Sequence, residues 1–336
     1  MKVLITGTAG FIGFHLARLL LDNGFKVYGY DGMTEYYDIN LKYSRHNILL
    51  KNPNFAATEG MLEDNEKLNE IADKFQPDII IHLAAQAGVR YSLENPRAYI
   101  NSNIIGTFNV MEIARKHKVK HLLMASTSSV YGANTEMPFT ETEKVDTQLT
   151  IYAATKKSNE SMAHSYSHLW KIPTTMFRFF TVYGPWGRPD MALFKFVNGI
   201  INNKPIDIYN NGEMYRDFTY VDDLVNGIKL LVNCIPNNKK ISKNDSLSPV
   251  APFRVVNIGN SDKIKLIDFI DAIEESLNKK AIRNYMPMQK GDVTETWADT
   301  SLLQKLTNYK PKTYYKDGIA NFIKWYLDYY NESIKY

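Results

Sequence analysis

The chain has 336 residues and a formal net charge of +4, and 44% of its residues are hydrophobic, enough to bury the core of an ordinary soluble globular protein of about two domains. The lysines are scattered along the chain, whereas a nucleic-acid-binding protein would gather them in a patch or stripe. A nucleic-acid partner is therefore not expected, and a small anionic molecule is.

The amino terminus passes from Met1 and Lys2 into VLITG, an apolar run too short for a signal peptide, and no later segment approaches the length of a membrane span. One cysteine, Cys234, excludes an internal disulfide framework, and no Cys/His cluster has zinc-like spacing. We therefore expect a cytoplasmic protein with no membrane partner and no metal.

Short apolar strands alternate with helical patterns through the first half, which is typical of a parallel sheet wrapped by helices. Helices are predicted near 11–23, 64–75, 96–117 and 150–170. Strands are predicted at 2–7, 26–31, 55–60, 78–85, 121–126 and 174–180. The predicted fold class is α/β, a Rossmann-type doubly wound parallel sheet with a smaller, interleaved C-terminal substrate domain.

The alternation of strands and helices stops after Phe180. The stretch TVYGPWGRPDMA carries two glycines and two prolines, which predicts a loop. Later, YVDDLVNGIKLLV predicts a helix capped by Asp222 or Asp223, and FRVVNIG predicts one more buried strand. We assign an NAD-binding domain to residues 1–180 with returning segments near 216–233 and 253–275. The substrate domain is assigned to 181–215 and 276–336, and the polar segment 237–252 is predicted to be a surface loop.

The stretch TGTAGFIG places Gly7, Gly10 and Gly13 between the first strand and the first helix. Such glycines let the backbone approach a pyrophosphate at the helix amino terminus, although a packed strand–helix turn shows the same triplet. Asp31 closes the second strand, where its carboxylate can accept both ribose hydroxyls. NAD is favoured over NADP, since Asp31 would repel a 2′-phosphate and no arginine follows it directly.

Among the tyrosines, Tyr152 alone has a lysine four residues later, in YAATK, and on a helix this spacing puts Tyr152 and Lys156 on one face. The ammonium group, joined by a positive nicotinamide, is expected to pull the tyrosine pKa toward neutrality. Tyr152 could then take a proton from a sugar hydroxyl. An exposed helix pair would show the same spacing, but the position after the predicted fifth strand favours a catalytic role.

The strings TGTAGFIG, HLAAQAGVRYS, STSSVYG, YAATK, RFFTVYGPWGRPDMA and YRDFTYVDD together resemble the extended short-chain dehydrogenase/reductase superfamily over nearly the whole chain. Within it, AAQAGVRYS and TVYGPWGRPDMALF most resemble the UDP-glucuronate 4-epimerases. Those enzymes interconvert UDP-glucuronate and UDP-galacturonate with a tightly bound NAD that is regenerated in each cycle. The resemblance also implies a homodimer formed through the helices near 96–117 and 150–170.

The resemblance implies a set of cofactor contacts from the glycine-rich turn, the ends of the strands and the catalytic helix. Many relatives carry an acidic residue for the adenine after the third strand, where this chain has Met61, so the backbone at Leu62 is expected to hold the adenine. The expected cofactor-binding residues are Gly7, Gly10, Phe11, Ile12, Gly13, Asp31, Leu62, Leu83, Ala84, Ala85, Gln86, Tyr152 and Lys156.

The loop ASTSSVYG distinguishes reaction types within this superfamily. The related 4,6-dehydratases resemble T-D-E-V-Y-G and the UDP-glucuronate decarboxylases T-S-E-V-Y-G, whereas this chain has Ser128 and Ser129 at the acidic positions. The remaining hydroxyl of Thr127 can hydrogen-bond the sugar 4-oxygen beside Tyr152, and the hydroxyls of Ser128 and Ser129 can bind the sugar without protonating it. Merely capping a turn is the simpler role for Ser126 and Ser128, but it is not expected to be the whole role of Thr127. The loop therefore favours epimerisation.

The resemblance implies that Tyr152 takes the 4-hydroxyl proton as hydride passes to NAD, and that the 4-keto sugar turns over before hydride returns. A 4-keto uronate is a β-keto acid, so the site must hold its carboxylate out of alignment with the carbonyl. Arg188 in WGRPD is expected to clamp that carboxylate bidentately, with Thr181 beside it and Arg90 as the reserve candidate.

The nucleotide half of the substrate is expected to meet residues nearer the carboxyl terminus. Arg216 is assigned to the diphosphate, with an ion pair to Asp217 or Glu213 as the structural alternative. The resemblance implies that Gln289 and Asp292 meet the uridine. Three other functions stay open: an epimerase of another UDP-sugar, a UDP-glucuronate decarboxylase, and a non-catalytic NAD-sensing protein. Ser129 disfavours the decarboxylase, Arg188 the neutral sugar, and Tyr152 with Lys156 the sensor.

Overall fold

The computed structural model describes residues 1–237, 239–289 and 291–330. Its first six strands are β1 (Lys2–Thr6), β2 (Lys26–Asp31), β3 (Phe55–Glu59), β4 (Ile79–His82), β5 (His121–Ala125) and β6 (Thr174–Phe179). The helices between them are α1 (Phe11–Asp22), α2 (Ile39–Leu50), α3 (Asn65–Phe75), α4 (Tyr91–Glu94), α5 (Pro96–Tyr99), α6 (Thr107–His117) and α7 (Ile151–Trp170). A π-helical segment, Ile100–Gly106, joins α5 to α6, and a short 3₁₀ helix, Ser128–Tyr131, follows β5.

The second half begins with β7 (Thr181–Tyr183), α8 (Ala192–Ile201), β8 (Ile206–Tyr209), a 3₁₀ turn (Asn210–Gly212), β9 (Tyr215–Arg216) and β10 (Phe218–Tyr220). It continues with α9 (Val221–Leu231), β11 (Phe253–Ile258), β12 (Ile264–Lys265), α10 (Leu266–Leu277), β13 (Arg283–Met286), β14 (Glu295–Thr296), α11 (Ser301–Thr307) and α12 (Tyr315–Tyr330). None of these described helices is both long and apolar enough to cross a membrane.

Seven parallel strands form the central sheet in the order β11-β6-β5-β4-β1-β2-β3, which confirms the predicted doubly wound α/β fold. Val3 and Ile5 of β1 face one hydrophobic core, and Leu4 faces the other. Because both faces of the sheet are buried, its strands are almost continuously apolar. The chain moves outward from β1 in one direction and returns to β4 on the other side, and parallel sheets bind ligands at such a reversal.

Helix α2 was not among the predicted elements. Its amino terminus is capped by Asp38, whose side chain accepts a hydrogen bond from the backbone N–H of Asn40. The residues it buries are Leu41, Lys42, Arg45 and Leu49. Two cations on the buried face interrupt the apolar periodicity by which amphipathic helices are recognised.

Helix α9 packs against α1, and β11 completes the large sheet beside β6, so the chain does return to the first region. The predicted cap of α9 was wrong. Tyr220 is its N-cap, and Asp222 and Asp223 lie in the first turn. Asp223 instead anchors the carboxyl-terminal segment by accepting hydrogen bonds from the Tyr309 hydroxyl and the backbone N–H groups of 312 and 313.

A third hydrophobic core lies beside the sheet and includes residues of α8, α10 and α12. The assigned domain division stays a prediction, and its boundary between 275 and 276 falls inside α10. The segment 237–252 is only partly a surface loop, because Asp245 and Leu247 are buried. Both oxygens of Asp245 accept hydrogen bonds from Arg254 at 2.9 and 3.0 Å.

Candidate active site

A cavity of about 990 Å³ lies at the carboxyl ends of the central strands. Every residue predicted to contact the cofactor lines it: Gly7, Gly10, Phe11, Ile12, Gly13, Asp31, Leu62, Leu83, Ala84, Ala85, Gln86, Tyr152 and Lys156. Thr127, Ser128, Ser129, Thr181, Arg188, Arg216 and Asp292 also line it. Arg90 and Gln289 are not among the described residues that line the cavity.

The glycine-rich turn leaves no room for side chains. A Cβ on Gly7, whose φ is +86°, would lie 2.8 Å from the backbone nitrogen of Ala84, and one on Gly13 would lie 2.0 Å from the carbonyl oxygen of Gly7. Helix α1 begins after Gly10 with no side-chain cap. Its first backbone N–H groups therefore remain available to an anion, which fits the pyrophosphate of a dinucleotide.

Asp31 ends β2 at the edge of the same cavity. Its two oxygens accept hydrogen bonds from the backbone N–H groups of Ala9 at 2.9 Å and Met33 at 3.0 Å. A carboxylate has further acceptor sites, so Asp31 can still receive the ribose hydroxyls of NAD.

Lys42 also lines the cavity, although no sequence motif marked it. Burial lowers its pKa, and the negative charge of Asp31 acts in the opposite direction. Its Nζ donates a 2.9 Å hydrogen bond to the Thr34 hydroxyl. Lys42 lies on the buried face of α2, and no pattern in the sequence connects it with the cavity.

Tyr152 lies in the first turn of α7, whose N-cap Thr150 accepts a hydrogen bond from the backbone N–H of Ala153. One turn later, the buried Nζ of Lys156 donates a 2.9 Å hydrogen bond to the carbonyl oxygen of Ala125, at the end of β5. Burial lowers the pKa of Lys156 to about 8. The helix thus brings the predicted pair to the end of the central strands.

Burial raises the pKa of Tyr152, while a hydrogen bond with the Thr127 side chain and the positive charge of Arg188 act to lower it. The expected fall toward neutrality is therefore not produced by the protein's own groups. The physical reason is that burial penalises the phenolate more than these two neighbours favour it. The predicted fall in the pKa of Tyr152 also included the positive charge of a bound nicotinamide. That charge would have to outweigh the effect of burial.

Thr127 caps a turn, but capping is not its only interaction. It is the N-cap of the 3₁₀ helix, and its hydroxyl oxygen accepts a 3.2 Å hydrogen bond from the backbone N–H of Ser129. The same hydroxyl is hydrogen-bonded to Tyr152. The cap thus fixes Thr127 beside the tyrosine. Ser126 instead donates a 2.7 Å hydrogen bond to buried Glu160.

The Nε and Nη2 edge of the Arg188 guanidinium is already paired within the protein. This corrects the prediction that Arg188 stands free to bind the sugar carboxylate bidentately. Its Nε and Nη2 donate to the two oxygens of Asp190 at 2.9 and 2.5 Å. The hydroxyl of Tyr36 also donates to Asp190, at 3.1 Å. A carboxylate of the protein therefore occupies the edge that was expected to bind the sugar carboxylate. The sequence signal for this pair was the acid two residues after Arg188 in GRPD.

Arg216 is likewise paired. Its Nη2 donates to Asp292 at 2.7 Å and to the carbonyl oxygen of Val293 at 2.8 Å. Its ion-pair partner is thus neither Asp217 nor Glu213, the two alternatives drawn from the sequence. Asp292 meets this arginine rather than standing free for a uridine.

Two predicted substrate residues lie elsewhere. The Arg90 guanidinium is exposed and stacks on the Tyr209 ring, 4.9 Å from its centroid. Gln289 makes a backbone contact with Asp292: its carbonyl oxygen accepts a 3.3 Å hydrogen bond from the N–H of Asp292. Thr181, by contrast, lines the cavity at the start of β7. Across the described ranges, no group of three or more His, Cys, Asp or Glu side chains could hold a metal ion.

Comparison with known proteins identifies the family that has this architecture. The family model described as GDP-mannose 4,6 dehydratase matches residues 4–322. The chain belongs to the extended short-chain dehydrogenase/reductase family. It is 54% identical over 330 residues to a probable UDP-glucuronate 4-epimerase of Rhizobium meliloti, with 97% of each chain covered.

More distant members of the family show the same likeness. UDP-glucuronate 4-epimerase 1 of Arabidopsis thaliana is 41% identical over 340 residues, which cover 100% of this chain and 79% of the plant protein. The crystal structure of UDP-glucuronic acid 4-epimerase from Bacillus cereus, in complex with UDP-glucuronic acid and NAD, is 31% identical. It superposes with a TM-score of 0.88 over 98% of this chain and 100% of that one.

Proposed function

We propose that the protein is an NAD-dependent 4-epimerase that interconverts UDP-glucuronate and UDP-galacturonate. The observation that carries the proposal is that Tyr152 and buried Lys156 of α7 line one cavity together with Thr127, which lies in a loop without an acid. Such a site can move one proton at one sugar hydroxyl. It lacks a second acid–base group on that loop for eliminating water.

The family also contains 4,6-dehydratases, as the name of the matching family model says. A dehydratase needs an acid to protonate the departing hydroxyl, and the 3₁₀ helix after β5 offers only Ser128 and Ser129 at the corresponding positions. The carboxylates that line the cavity come from other segments: Asp31, Glu63, Asp292 and Glu295. Epimerisation is therefore the reaction that the loop supports.

Tyr152 acts as the base in this proposal. Its phenolate oxygen accepts the proton of the 4-hydroxyl group and becomes the neutral phenol, and Thr127 holds the 4-oxygen in hydrogen-bonding distance. The charge of Lys156, one helical turn away, favours the phenolate. Bound NAD supplies the chemistry of hydride removal from C4 and its return to the other face. Because the same tyrosine returns the proton, no second base is required.

The uronate is held by Arg188 and Thr181. Asp190 uses the Nε and Nη2 edge of the guanidinium, and the other edge remains for the sugar carboxylate. Asp190 thereby orients Arg188 rather than replacing the substrate. At the other end of the cavity, the diphosphate draws Arg216 away from Asp292, which exchanges one anionic partner for another.

The proposal includes a homodimer in the cytoplasm. Ile105, Phe108, Leu169 and Trp170 are exposed apolar residues between α5 and the end of α7. The rings of Phe108 and Trp170 both contact Tyr166, with centroids 6.5 and 4.6 Å away, so the two helices share one apolar surface. Such a surface is typical of a subunit interface. A single cysteine fits a reducing compartment.

Incubation with UDP-glucuronate, followed by chromatography of the sugar nucleotides, tests the function. A mixture of UDP-glucuronate and UDP-galacturonate is expected, and the same mixture should form from either one. A UDP-pentose product, or turnover of UDP-glucose but not of the uronate, would contradict the proposal. Light scattering of the parent and of Phe108→Lys tests the dimer, because a buried lysine should yield a monomer and a monomeric parent would overturn it.

A further inference from the structure

Arg45 is one of the largest fully buried side chains of the protein, with no exposed surface. It projects from the buried face of α2 and donates hydrogen bonds to four oxygen atoms, all of them neutral. The acceptors are the carbonyl of Ala9 at 2.9 Å, the hydroxyl of Tyr37 at 2.8 Å, and the carbonyls of Trp186 at 2.5 Å and Gly187 at 3.3 Å. A buried guanidinium with neutral acceptors needs a reason, since burial of a charge is costly.

The four acceptors belong to three separate segments that meet around the cavity. Ala9 lies in the glycine-rich turn between Gly7 and Gly10. Tyr37 lies in the connection between β2 and α2 and lines the cavity. Trp186 and Gly187 lie in the loop that carries Arg188. One side chain therefore joins the cofactor end of the cavity to the sugar end.

The loop that Arg45 holds is conformationally strained. Trp186 has a φ of +61°, in the left-handed region that a bulky residue rarely adopts. Its indole packs against the rings of Phe14, Trp325 and Tyr329, with centroids 5.0 to 5.4 Å away. Its carbonyl oxygen receives the hydrogen bond from Arg45. Such a backbone persists only where surrounding contacts determine it, and Arg45 supplies a polar contact at Trp186 itself.

We infer that Arg45 is a positioning residue that holds the glycine-rich turn against the strained turn at Trp186. It thereby fixes the position of the enclosed NAD relative to Arg188. The inference rests on the proposed function for the role of Arg188, but not for the enclosure of the dinucleotide. Arg45 itself does not line the cavity, so it acts through the two turns rather than by touching a ligand.

Replacement of Arg45 should leave the fold intact. His15 of α1 makes a second link to the same loop, since its Nε2 lies 2.9 Å from the carbonyl oxygen of Pro185. Arg45→Lys keeps the charge and loses the fork, and Arg45→Met loses both at similar length. Arg254→Lys is the matched control, because Arg254 is a buried arginine of β11, paired with Asp245 and absent from the cavity wall.

The first measurement is the exchange of bound NAD for NAD labelled in the nicotinamide ring, without any sugar nucleotide. Arg45→Met loses all four hydrogen bonds and Arg45→Lys at least one of them. Since the loss of even one or two corresponds to about tenfold, both variants should exchange the cofactor at least about ten times faster than the parent. Thermal unfolding of each variant shows that it is folded. Arg254→Lys should melt at a lower temperature and exchange NAD at the parental rate.

The second measurement adds UDP-glucuronate and follows reduced-nicotinamide absorbance together with the products. A displaced Arg188 should let some 4-keto intermediate lose carbon dioxide, so reduced cofactor and a UDP-4-keto-pentose should accumulate in both Arg45 variants. If NAD exchange in the Arg45 variants is no faster than in the parent, or is equally fast in Arg254→Lys, Arg45 does not hold the two turns together. Faster exchange without these products overturns the link to Arg188. A parent that does not epimerise overturns the proposed function but leaves the exchange result standing.

Discussion

The two ends of the cavity are built on different principles. At the cofactor end, the ligand would meet backbone N–H groups, small residues and Asp31, all placed by the strands and by α1. At the sugar end, each arginine that faces the cavity already has a carboxylate partner, Asp190 for Arg188 and Asp292 for Arg216. The first end is thus prepared for its ligand. At the second end, Arg216 must exchange Asp292 for the diphosphate, and Arg188 must share its guanidinium between Asp190 and the sugar carboxylate.

This difference suits a catalyst that keeps its cofactor and releases its sugar. Backbone donors at a helix amino terminus need no rearrangement to bind a diphosphate, which favours retention. Arginines balanced by carboxylates hold no uncompensated charge between turnovers, so the sugar nucleotide gains less on binding and can leave. Tyr152 and Thr127 stand where the two ends meet.

The largest expected effect is at that junction. Tyr152→Phe removes the base while leaving the ring that packs at 6.0 Å from Tyr99, so turnover of UDP-glucuronate should fall by about 10²- to 10⁴-fold. Substrate binding, measured by calorimetry, should change little, and bound NAD should stay at the parental level. A variant that keeps more than about half of the parental activity would transfer the base to Thr127 or to a water molecule.

Arg188→Ala tests the sugar end. Loss of a charge-assisted hydrogen bond is worth about 1.5–3 kcal/mol, or about 10- to 150-fold in kcat/KM for the uronate. A freed carboxylate can align with the 4-keto group, so decarboxylated product and reduced cofactor should accumulate. Asp190→Ala serves as the comparison, because it frees the arginine edge without removing the arginine. If Arg188→Ala turns over like the parent with no decarboxylation, Arg188 is only the partner of Asp190.

The cofactor end could be predicted from the sequence because its determinants are local. Three glycines at the junction of a strand and the helix that follows it, and an aspartate at the end of the next strand, lie within one βαβ unit. These residues all line the cavity, and their contacts with NAD stay predictions.

The sugar end could not be predicted to the same depth. The Arg216–Asp292 pair joins residues 76 apart in sequence, which no local pattern reveals. Lys42 and Arg45 were missed together with α2, since a helix that buries cations lacks the apolar period that marks a helix. Both failures come from polar contacts that are buried or partly buried, whose partners depend on the assembled fold.

Lys156 offers a test of the cofactor end through stability. Burial lowers its pKa from 10.5 to about 8, so the unfolded chain binds more protons than the folded protein between these pH values. Stability from this group should therefore rise as pH increases from about 8 to about 10. Urea unfolding at both pH values should show a smaller rise for Lys156→Met than for the parent. An equal rise in both proteins would mean that Lys156 is not the buried group that titrates.

The smallest expected effect concerns Ser129, which stands where the dehydratases and decarboxylases carry an acid. Its hydroxyl lies 3.3 Å from that of Thr127, and its backbone N–H, which a substitution keeps, is what Thr127 caps. Ser129→Ala removes one neutral hydrogen bond, worth about 0.5–1.5 kcal/mol, so kcat/KM should fall by only about 2- to 13-fold. The product should remain the epimer alone, because the arginine that holds the carboxylate is untouched. A loss as large as that of Tyr152→Phe, or the appearance of a decarboxylated product, would place Ser129 in the proton transfer itself and remove the distinction between a base at the junction and hydroxyls that only hold the sugar.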